Sequence, residues 1–424
     1  MTNEPSGDYY DYTKTMQPER PWMKAYHQSL VYLTMCCTRG GDGKMDKLYL
    51  TFEDLLAMTR RIYNRTLGVP QINYIVGWHH EGHDSKYPDW SEVNRHMKRE
   101  GDETALDSLR WLIREARQYN TTMSLHLNMM DAYTDSPLWD EYVAKDIIAK
   151  DKDGNIIKGK EWGGMHSYQM SYTQEWKLGL AQKRIDGILE MIPELVEGGT
   201  IHIDAFLGER PGEGRGQLIS PYLGYTKAQE LATQRKIFRY WRDRGVDVTS
   251  EWVDGLRGEY FVGLQAWAWH GGSAVAHLPD ELYCGNPMQD AKHPGFDQPD
   301  GLHEKFTEEF WLLFMPWFYK NNPAGQDDVG TMMEGTNICM PALWCKDRTM
   351  VAYSVEGFQN KSWRLPSNWQ DVQRVKLGRI TDEGVEPIGD VDVQNHTLTL
   401  SLEKGAAVRI CPTVPGARNA NSDQ

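Results

Sequence analysis

Thr200-Ile201-His202-Ile203-Asp204-Ala205-Phe206-Leu207-Gly208 is the stretch that decides the fold of this chain. Apolar and β-branched residues run up to an aspartate, and four glycines follow between Gly208 and Gly216. This pattern predicts a buried parallel strand that ends at a polar opening. Because an unpaired carboxylate is costly to bury, Asp204 is a candidate functional residue.

A second stretch, Val246 to Trp252, repeats the pattern, with a short strand that ends at Glu251 beside a tryptophan. A helical pattern from Thr226 to Arg244 separates the two strands. Parallel strands that each end in an acid are typical of an α/β protein with a (β/α)8 TIM-type barrel, where catalytic residues collect at the carboxyl ends of the strands. The sequence therefore predicts that Asp204 and Glu251 share one mouth of a barrel.

The same alternation runs through most of the chain and favours a parallel barrel over a sandwich. Strands are predicted at 29–35, 72–77, 122–127 and 260–269, and helices at 51–63, 103–119, 174–195 and, in the outer ring of the barrel, 304–317. The insertion from Asp131 to Tyr172 predicts a lid. Short alternating runs after about residue 335 predict antiparallel strands. We therefore expect an N-terminal arm at 1–25, a catalytic barrel at 26–335, a small C-terminal antiparallel β-sandwich at 336–415 and a disordered tail at 416–424.

The composition restricts the classes of partner. A formal net charge of −14 argues against nucleic acid and anionic membranes as partners. No apolar run reaches membrane-spanning length and the N-terminus lacks a signal-peptide pattern, so we expect a cytoplasmic protein, or a secreted one if a leader has been removed. Six cysteines without a CxxC pair predict reduced thiols rather than disulfides or structural zinc. Sixteen tryptophans and 21 tyrosines fit either a large core or sugar-stacking surfaces.

A polar cluster, Gly77 to Asp84, follows the second predicted strand at the face where barrel enzymes keep their chemistry. Its three histidines, with Glu81 and Asp84, are chemically suited either to ligate a metal or to hydrogen-bond a polar substrate. A metal hydrolase on this fold would carry a His-x-His pair on the first strand, and Ser29–Met35 has no histidine. His126 and His202 also have a strand parity that is opposite or uncertain relative to the mouth. We therefore expect no catalytic metal and no cofactor, with a structural calcium ion left open.

Four segments together resemble the endo-α-N-acetylgalactosaminidases of glycoside hydrolase family 101. Gly77-Trp78-x-x-Glu81-Gly82-His83-Asp84 is similar to the family's Gly-Trp-x-x-Glu-Gly-His-Asp segment, and His126-Leu127-Asn128 to its His-Val-Asn strand end. Ile203–Phe206 resembles its nucleophile strand, and Ser250–Trp252 its acid/base strand. The resemblance implies a retaining double displacement, with Asp204 as nucleophile and Glu251 as acid/base. It implies substrate contacts by Trp78, His83, Asp84, Asn128, Trp162, Phe206 and Trp252.

The departures from the family pattern point to a shorter relative. The spacing between the two acids is longer, Phe206 replaces a tryptophan, and the family's N-terminal β domains are missing from this sequence. The related family 129, exo-acting α-N-acetylgalactosaminidases found inside cells, fits these departures. The expected substrate is α-linked N-acetylgalactosamine, or a related α-galactoside, in short O-glycans. The oligomeric state stays open.

Three other readings also stay open. They are an α-glycosidase of other sugar specificity, a metal-dependent barrel hydrolase, and a carbohydrate-binding pseudoenzyme. Neighbouring carboxylates could also replace the assigned pair, namely Glu209, Asp254 and Glu259.

Overall fold

The computed structural model describes residues 21–206, 218–251, 264–269, 287–291, 295, 298, 301–320, 322, 325 and 329–413. The chain divides into two compact units. The first comprises Met1–Met58, Gln71–Asn286 and Lys292–His303, and the second comprises Thr59–Pro70, Pro287–Ala291 and Glu304–Gln424. Among the described residues, no helix is both long and apolar enough to cross a membrane. The five cysteines in this part of the chain are free thiols, as predicted.

Strands and helices alternate from residue 30 to residue 269. The strands are β1 (Leu30–Met35), β2 (Cys37–Arg39), β3 (Met45–Leu48), β4 (Gln71–Val76), β5 (Thr121–Asn128), β6 (Asp131–Ala132), β7 (Glu161–Trp162), β8 (Met165–His166), β9 (Tyr168–Gln169), β10 (Thr200–Asp204), β11 (Asp247–Glu251) and β12 (Gln265–Trp269). The helices are α1 (Phe52–Arg65), α2 (Ala105–Glu115), α3 (Trp139–Ala144), α4 (Tyr172–Lys177), α5 (Leu180–Met191), α6 (Glu194–Gly198) and α7 (Lys227–Asp243).

Six of these strands form one parallel sheet in the order β1-β4-β5-β10-β11-β12. Every described neighbour pair is parallel, and a helix lies in the chain between most successive strands. All six residues of β4 are buried, as expected for a parallel strand covered on both faces. The sheet is a curled partial (β/α) barrel, and its strand ends are where the sequence predicted them. The first part of the predicted strand 260–269 lies outside the described residues.

Side-chain caps set the starts of several helices. The hydroxyl of Thr51 accepts from the Asp54 N–H at 3.1 Å, at the start of the helix predicted at 51–63. Thr104 and Thr226 form capping boxes at α2 and α7. The predicted helix 174–195 is wrong as a single element, because the chain breaks into α4, α5 and α6. The breaks fall at Gly179, which has a φ of +73°, and at Pro193.

The second unit is mainly antiparallel. Its helical segment contains α8 (Phe306–Glu309), a π-helical turn (Phe310–Phe314) and α9 (Met315–Lys320). Its strands are β13 (Met333–Glu334), β14 (Asn337–Pro341), β15 (Met350–Ser354), β16 (Phe358–Arg364), β17 (Arg374–Thr381), β18 (Gly384–Asp392), β19 (Thr397–Leu402) and β20 (Ala407–Pro412). They form a six-stranded sheet, β13-β14-β15-β20-β17-β18, and the pair β16-β19.

The predicted helix 304–317 does not belong to the outer ring of the barrel. It lies in the second unit, where the rings of Phe310 and Phe318 pack at 5.8 and 5.2 Å from that of Trp344. An apolar helix face does not reveal which hydrophobic core it packs against. The sequence alone therefore could not assign this helix to a unit. Beneath the antiparallel strands, a separate core includes Trp363, Trp369 and Ile410.

Candidate active site

Asp204 and Glu251 meet at the carboxyl ends of two neighbouring strands. The register of β10 with β11 pairs Ile203 with Ser250, so the next residue on each strand is one of the two acids. The two carboxyl groups share a hydrogen bond. The expectation from the sequence, two carboxylates at one mouth, corresponds to this geometry.

Two further donors fix the acids in place. The side chain of Asn128, which pairs with Asp204 across β5 and β10, hydrogen-bonds the Asp204 carboxylate. The backbone N–H of Ala205 hydrogen-bonds Glu251. Ala205 has a φ of +50°, an unfavourable conformation for a residue with a side chain, of the kind that is concentrated at functional sites. This bend in the chain turns its N–H towards Glu251.

Burial and mutual repulsion give the two acids different protonation states. The pKa of Glu251 is raised to about 8, first by burial and then by the neighbouring charge of Asp204. The pKa of Asp204 is raised to about 6 by burial and by Asp84, against the opposing effects of His83 and Asn128. Between these values the pair as a whole holds one proton. That is the state in which one carboxylate attacks and the other donates a proton.

Three histidines lie beside this pair. His126 Nε2 lies 3.7 Å from Asp204 Oδ1, and its ring stacks on His202 with centroids 5.1 Å apart. The ring of His83 meets His126 edge-on at 5.3 Å. The uncertain strand parity is thereby resolved for His126, because residues two apart on a strand point to the same face and Asn128 also faces Asp204. The same parity rule places His202 on the face of Asp204.

The turn that carries His83 and Asp84 is anchored to β2. The N–H of His83 donates to the Cys37 carbonyl at 2.8 Å, and His83 forms a parallel bridge with Thr38. A Cβ at Gly77 would lie 2.1 Å from the Cys37 carbonyl oxygen, so only glycine allows this approach. His83 Nε2 in turn lies 3.7 Å from Asp84 Oδ2.

The remaining members of the polar cluster have structural partners. His80 bridges Asp89 at 2.9 Å and Glu92 at 3.1 Å. His79 bonds the Ser85 carbonyl oxygen at 3.0 Å. Glu81 pairs with Arg95 at 2.6 Å. The cluster therefore does not converge on one ion as the metal alternative required.

One group of described residues has the composition of a metal site. His83, His126 and Asp204 offer ligand atoms that all lie within 4.8 Å of one another. In a tetrahedral zinc site the atoms that bind the ion lie about 3.4 Å from one another, because each zinc–nitrogen bond is about 2.0–2.1 Å long. These three residues are the ones that could hold an ion, and all of them belong to the site already described.

Two predicted substrate contacts lie behind the site rather than in it. Trp78 is fully buried and donates its indole N–H to the His126 carbonyl at 2.9 Å. Phe206 is also fully buried and packs against Tyr172 and Phe238. Both side chains support the strands that carry the site, and neither presents a free ring face.

The other predicted contacts have mixed outcomes. Trp162 is 42% exposed on the β7–β8 hairpin, where a ring is available to a ligand. Trp252 lies outside the described residues, as do the rival carboxylates Glu209, Asp254 and Glu259. The segment predicted as a lid contains α3, the two short strand pairs β6–β9 and β7–β8, and two isolated bridges.

Sequence reasoning missed three buried residues near the site. Asp131 accepts from the Asn128 amide at 2.9 Å and so orients it. Tyr87 is fully buried close enough to Asp84 and Asp204 for both charges to raise the pKa of its hydroxyl, after burial itself. Arg39 donates to the Asp84 carbonyl oxygen at 2.5 Å. The Tyr-Pro-Asp run after Asp84 was a signal for Tyr87, whereas nothing local pointed to Arg39.

The site can now be compared with known proteins. The family model described as endo-alpha-N-acetylgalactosaminidase, glycoside hydrolase family 101, matches residues 49–274. That match covers more than half of the 424 residues and includes Asp204 and Glu251. The chain belongs to this family. The resemblance seen in the sequence is therefore confirmed, and no curated protein matches the chain.

Several solved structures show a distant likeness to this family member. The alpha-N-acetylgalactosaminidase NagBb from Bifidobacterium bifidum, complexed with Gal-NHAc-DNJ, aligns at 15% identity and a TM-score of 0.43 over 57% of this chain and 36% of that one. The alpha-galactosidase TtGalA from Thermus thermophilus aligns at 16% identity and 0.36 over 59% and 42%. An alpha-amylase from Geobacillus thermoleovorans aligns at 11% and 0.44 over 93% and 100%. The chain spans little more than a third of the length of NagBb.

Proposed function

We propose that the protein is a retaining glycoside hydrolase that releases α-linked N-acetylgalactosamine, or a closely related α-galactoside, from short O-glycans. The observation that carries the proposal is the hydrogen-bonded pair Asp204 and Glu251 at neighbouring strand ends, with one proton between them at neutral pH. Membership of family 101 supports the sugar, since that family is described as endo-alpha-N-acetylgalactosaminidases.

The spacing of the two acids favours retention of configuration. Inverting enzymes separate their carboxyl groups by about 6.5–9.5 Å to admit a water molecule, whereas retaining ones keep them about 5–5.5 Å apart. A shared hydrogen bond leaves no room for that water between Asp204 and Glu251. We propose that the bound sugar separates them, that Asp204 attacks the anomeric carbon, and that Glu251 protonates the leaving oxygen. Glu251 then removes a proton from the water that breaks the glycosyl–Asp204 bond.

The surrounding groups are suited to hold the sugar. Asn128 and His126 contact Asp204, while His83 and Asp84 form the adjacent wall. Polar groups in fixed positions discriminate between axial and equatorial hydroxyl groups. Trp162 offers an exposed ring for stacking against the sugar or its aglycone.

The full architecture is also a proposal. We propose that two more strands complete the partial sheet to a (β/α)8 barrel within the predicted bounds 26–335, from the part of that range that precedes Glu304, since Glu304–Gln424 belong to the second unit. We propose in addition that 336–415 form a separate β-sandwich domain, consistent with the antiparallel strands β14 to β20.

The test is a time-resolved 1H NMR assay with an aryl α-N-acetylgalactosaminide, which reports the anomer formed first. We expect the α-anomer from the native protein and no turnover from Asp204→Asn, with a matched Asp186→Asn control on the exposed Asp186 fully active. A β-anomer would refute retention. Aryl α-glycosides that differ only at C2 and C4 test the sugar, and better turnover of another member would replace the substrate but not the mechanism.

A further inference from the structure

Arg39 joins three segments of the first unit through its guanidinium group. It is the last residue of β2 and is only 4% exposed. Its Nε donates to the Asp84 carbonyl, and Nη1 and Nη2 donate to the carbonyls of Gly163 and Trp162, both at 3.3 Å. The guanidinium also lies 4.5 Å from the centre of the Tyr133 ring. One buried cation thus contacts the Asp84 turn, the segment after β6 and the β7–β8 hairpin.

The segments that Arg39 joins differ in how firmly they are held. On one side, β2 is fixed to the Asp84 turn by the His83–Cys37 hydrogen bond and by the close approach at Gly77. On the other side, the hairpin is exposed at both Glu161 and Trp162. Loops with exposed backbone and few buried contacts open most easily. The hydrogen bonds from Arg39 therefore help to hold the hairpin in its position.

A backbone contact supports the same attachment. A Cβ at Gly164, in the turn of the hairpin, would lie 2.9 Å from the Cα of Gly41, in the loop between β2 and β3. Gly164 also has a φ of +77°. The hairpin and the loop that follows Arg39 therefore touch backbone to backbone, at a distance that any side chain would prevent.

We propose that Arg39 is a positioning residue that latches the β7–β8 hairpin to the Asp84 turn and so holds Trp162 over the sugar at Asp204. Only arginine fits this role, because its planar fork directs several N–H groups to separate acceptors while lysine presents a single nitrogen. The kinetic consequence rests on the proposed function. The latch itself is a property of the fold and has a test that needs no activity.

The first test measures the hairpin directly by limited trypsin digestion, followed by mass spectrometry at Lys158 and Lys160. We expect Arg39→Met to speed cleavage at these two lysines about tenfold, since local opening exposes the backbone. Gly164→Ala should do the same, although it leaves Arg39 unchanged. Arg117→Met, which removes an exposed arginine paired with Glu197, is the control and should not alter cleavage.

The second test is a double-mutant cycle with Trp162→Ala on an aryl α-N-acetylgalactosaminide. We expect Arg39→Met to raise KM about tenfold with a smaller change in kcat, matching the loss of one aromatic contact. Arg39→Lys should recover only part of this loss. In a Trp162→Ala background, Arg39→Met should have little further effect on KM, because both changes remove the same contact.

The outcomes separate the latch from the proposed function. Unchanged cleavage in both Arg39→Met and Gly164→Ala, with unaltered melting temperatures, would overturn the latch. Additive effects on KM would likewise show that Arg39 does not act through Trp162. If the native protein cleaves no α-glycoside at all, the proposed function fails while the digestion result still decides whether Arg39 holds the hairpin.

Discussion

At the scale of single residues, the site depends on two acids that cannot both be charged at neutral pH. Burial raises the pKa of both; with the added charge of Asp84 the pKa of Asp204 is about 6, and with that of Asp204 the pKa of Glu251 is about 8. A hydrogen bond between a carboxylate and a carboxylic acid satisfies the pair with a single proton. The difference in pKa between the two acids therefore follows from their environment rather than from residue type alone.

The pH dependence of kcat/KM should report this pair. Activity should rise with pH as Asp204 ionises, near pH 6, and fall as Glu251 loses its proton, near pH 8. Asp84 raises both pKa values, so Asp84→Asn should move both limbs to lower pH even if overall activity also falls. A profile measured for Asp186→Asn should coincide with the native one. If the rise and the fall of kcat/KM occur at the same pH values in Asp84→Asn as in the native protein, other groups control the profile.

At this scale the sequence predicted which polar residues lie together at the strand ends, but not that two of the aromatic rings are buried. Asp204, Glu251 and Asn128 are the last residues of apolar strands. A polar side chain at the end of a buried strand has few places to lie other than the polar opening. Trp78 and Phe206 follow strand ends as well, yet their rings turn inward to fill the space behind the sheet. A single sequence does not distinguish a ring that stacks on a ligand from one that fills a core.

At the scale of elements, the short strand β2 organises the mouth. It supplies the Cys37 carbonyl to His83 and ends in Arg39. Its closeness to the end of β4 requires the absence of a side chain at Gly77. The sequence analysis predicted no separate strand at Cys37–Arg39, because the bonds that give β2 its role join segments distant in sequence.

Gly77→Ala tests that packing. A Cβ there would meet the Cys37 carbonyl oxygen at 2.1 Å, so the strand or the turn must move. Gly101→Ala is a matched control, because Gly101 also has a positive φ but no atom within 4 Å of the new Cβ. We expect Gly77→Ala to lower the free energy of unfolding by about 2 kcal/mol or more beyond the control, and to reduce activity. If urea denaturation shows the same loss of free energy of unfolding in Gly77→Ala and Gly101→Ala, backbone strain alone accounts for that loss.

At the scale of the whole molecule, the order of elements was predictable and the membership of units was not. Sequence patterns located the six strands of the parallel sheet, β1, β4, β5, β10, β11 and β12, and missed the short strands β2, β3 and β6 to β9. Glu304–Gln424 belong to the second unit, where the rings of Phe310 and Trp344 lie 5.8 Å apart, a contact that no local pattern encodes. The break of the predicted helix 174–195 was visible in Gly179 and Pro193 but was outweighed by the helical periodicity around them.

The length of glycan that the protein accepts is a prediction at this scale. If the β7–β8 hairpin covers the sugar, a substrate extended beyond N-acetylgalactosamine should fit less well. We expect kcat/KM to be higher for GalNAc-α-Ser/Thr than for the same compound capped with β-galactose. A capped disaccharide that is the better substrate would favour the endo-type action for which family 101 is described.

The central claim is that Asp204 forms the covalent bond to the sugar. The most direct measurement is inactivation by a mechanism-based 5-fluoro glycosyl fluoride of N-acetylgalactosamine, followed by proteolysis and peptide mass spectrometry. We expect one labelled carboxylate, that of Asp204, and a loss of activity in proportion to the label. Free N-acetylgalactosamine should protect the protein against inactivation. A label on Glu251 or on any other carboxylate, or inactivation without a covalent adduct, would contradict it.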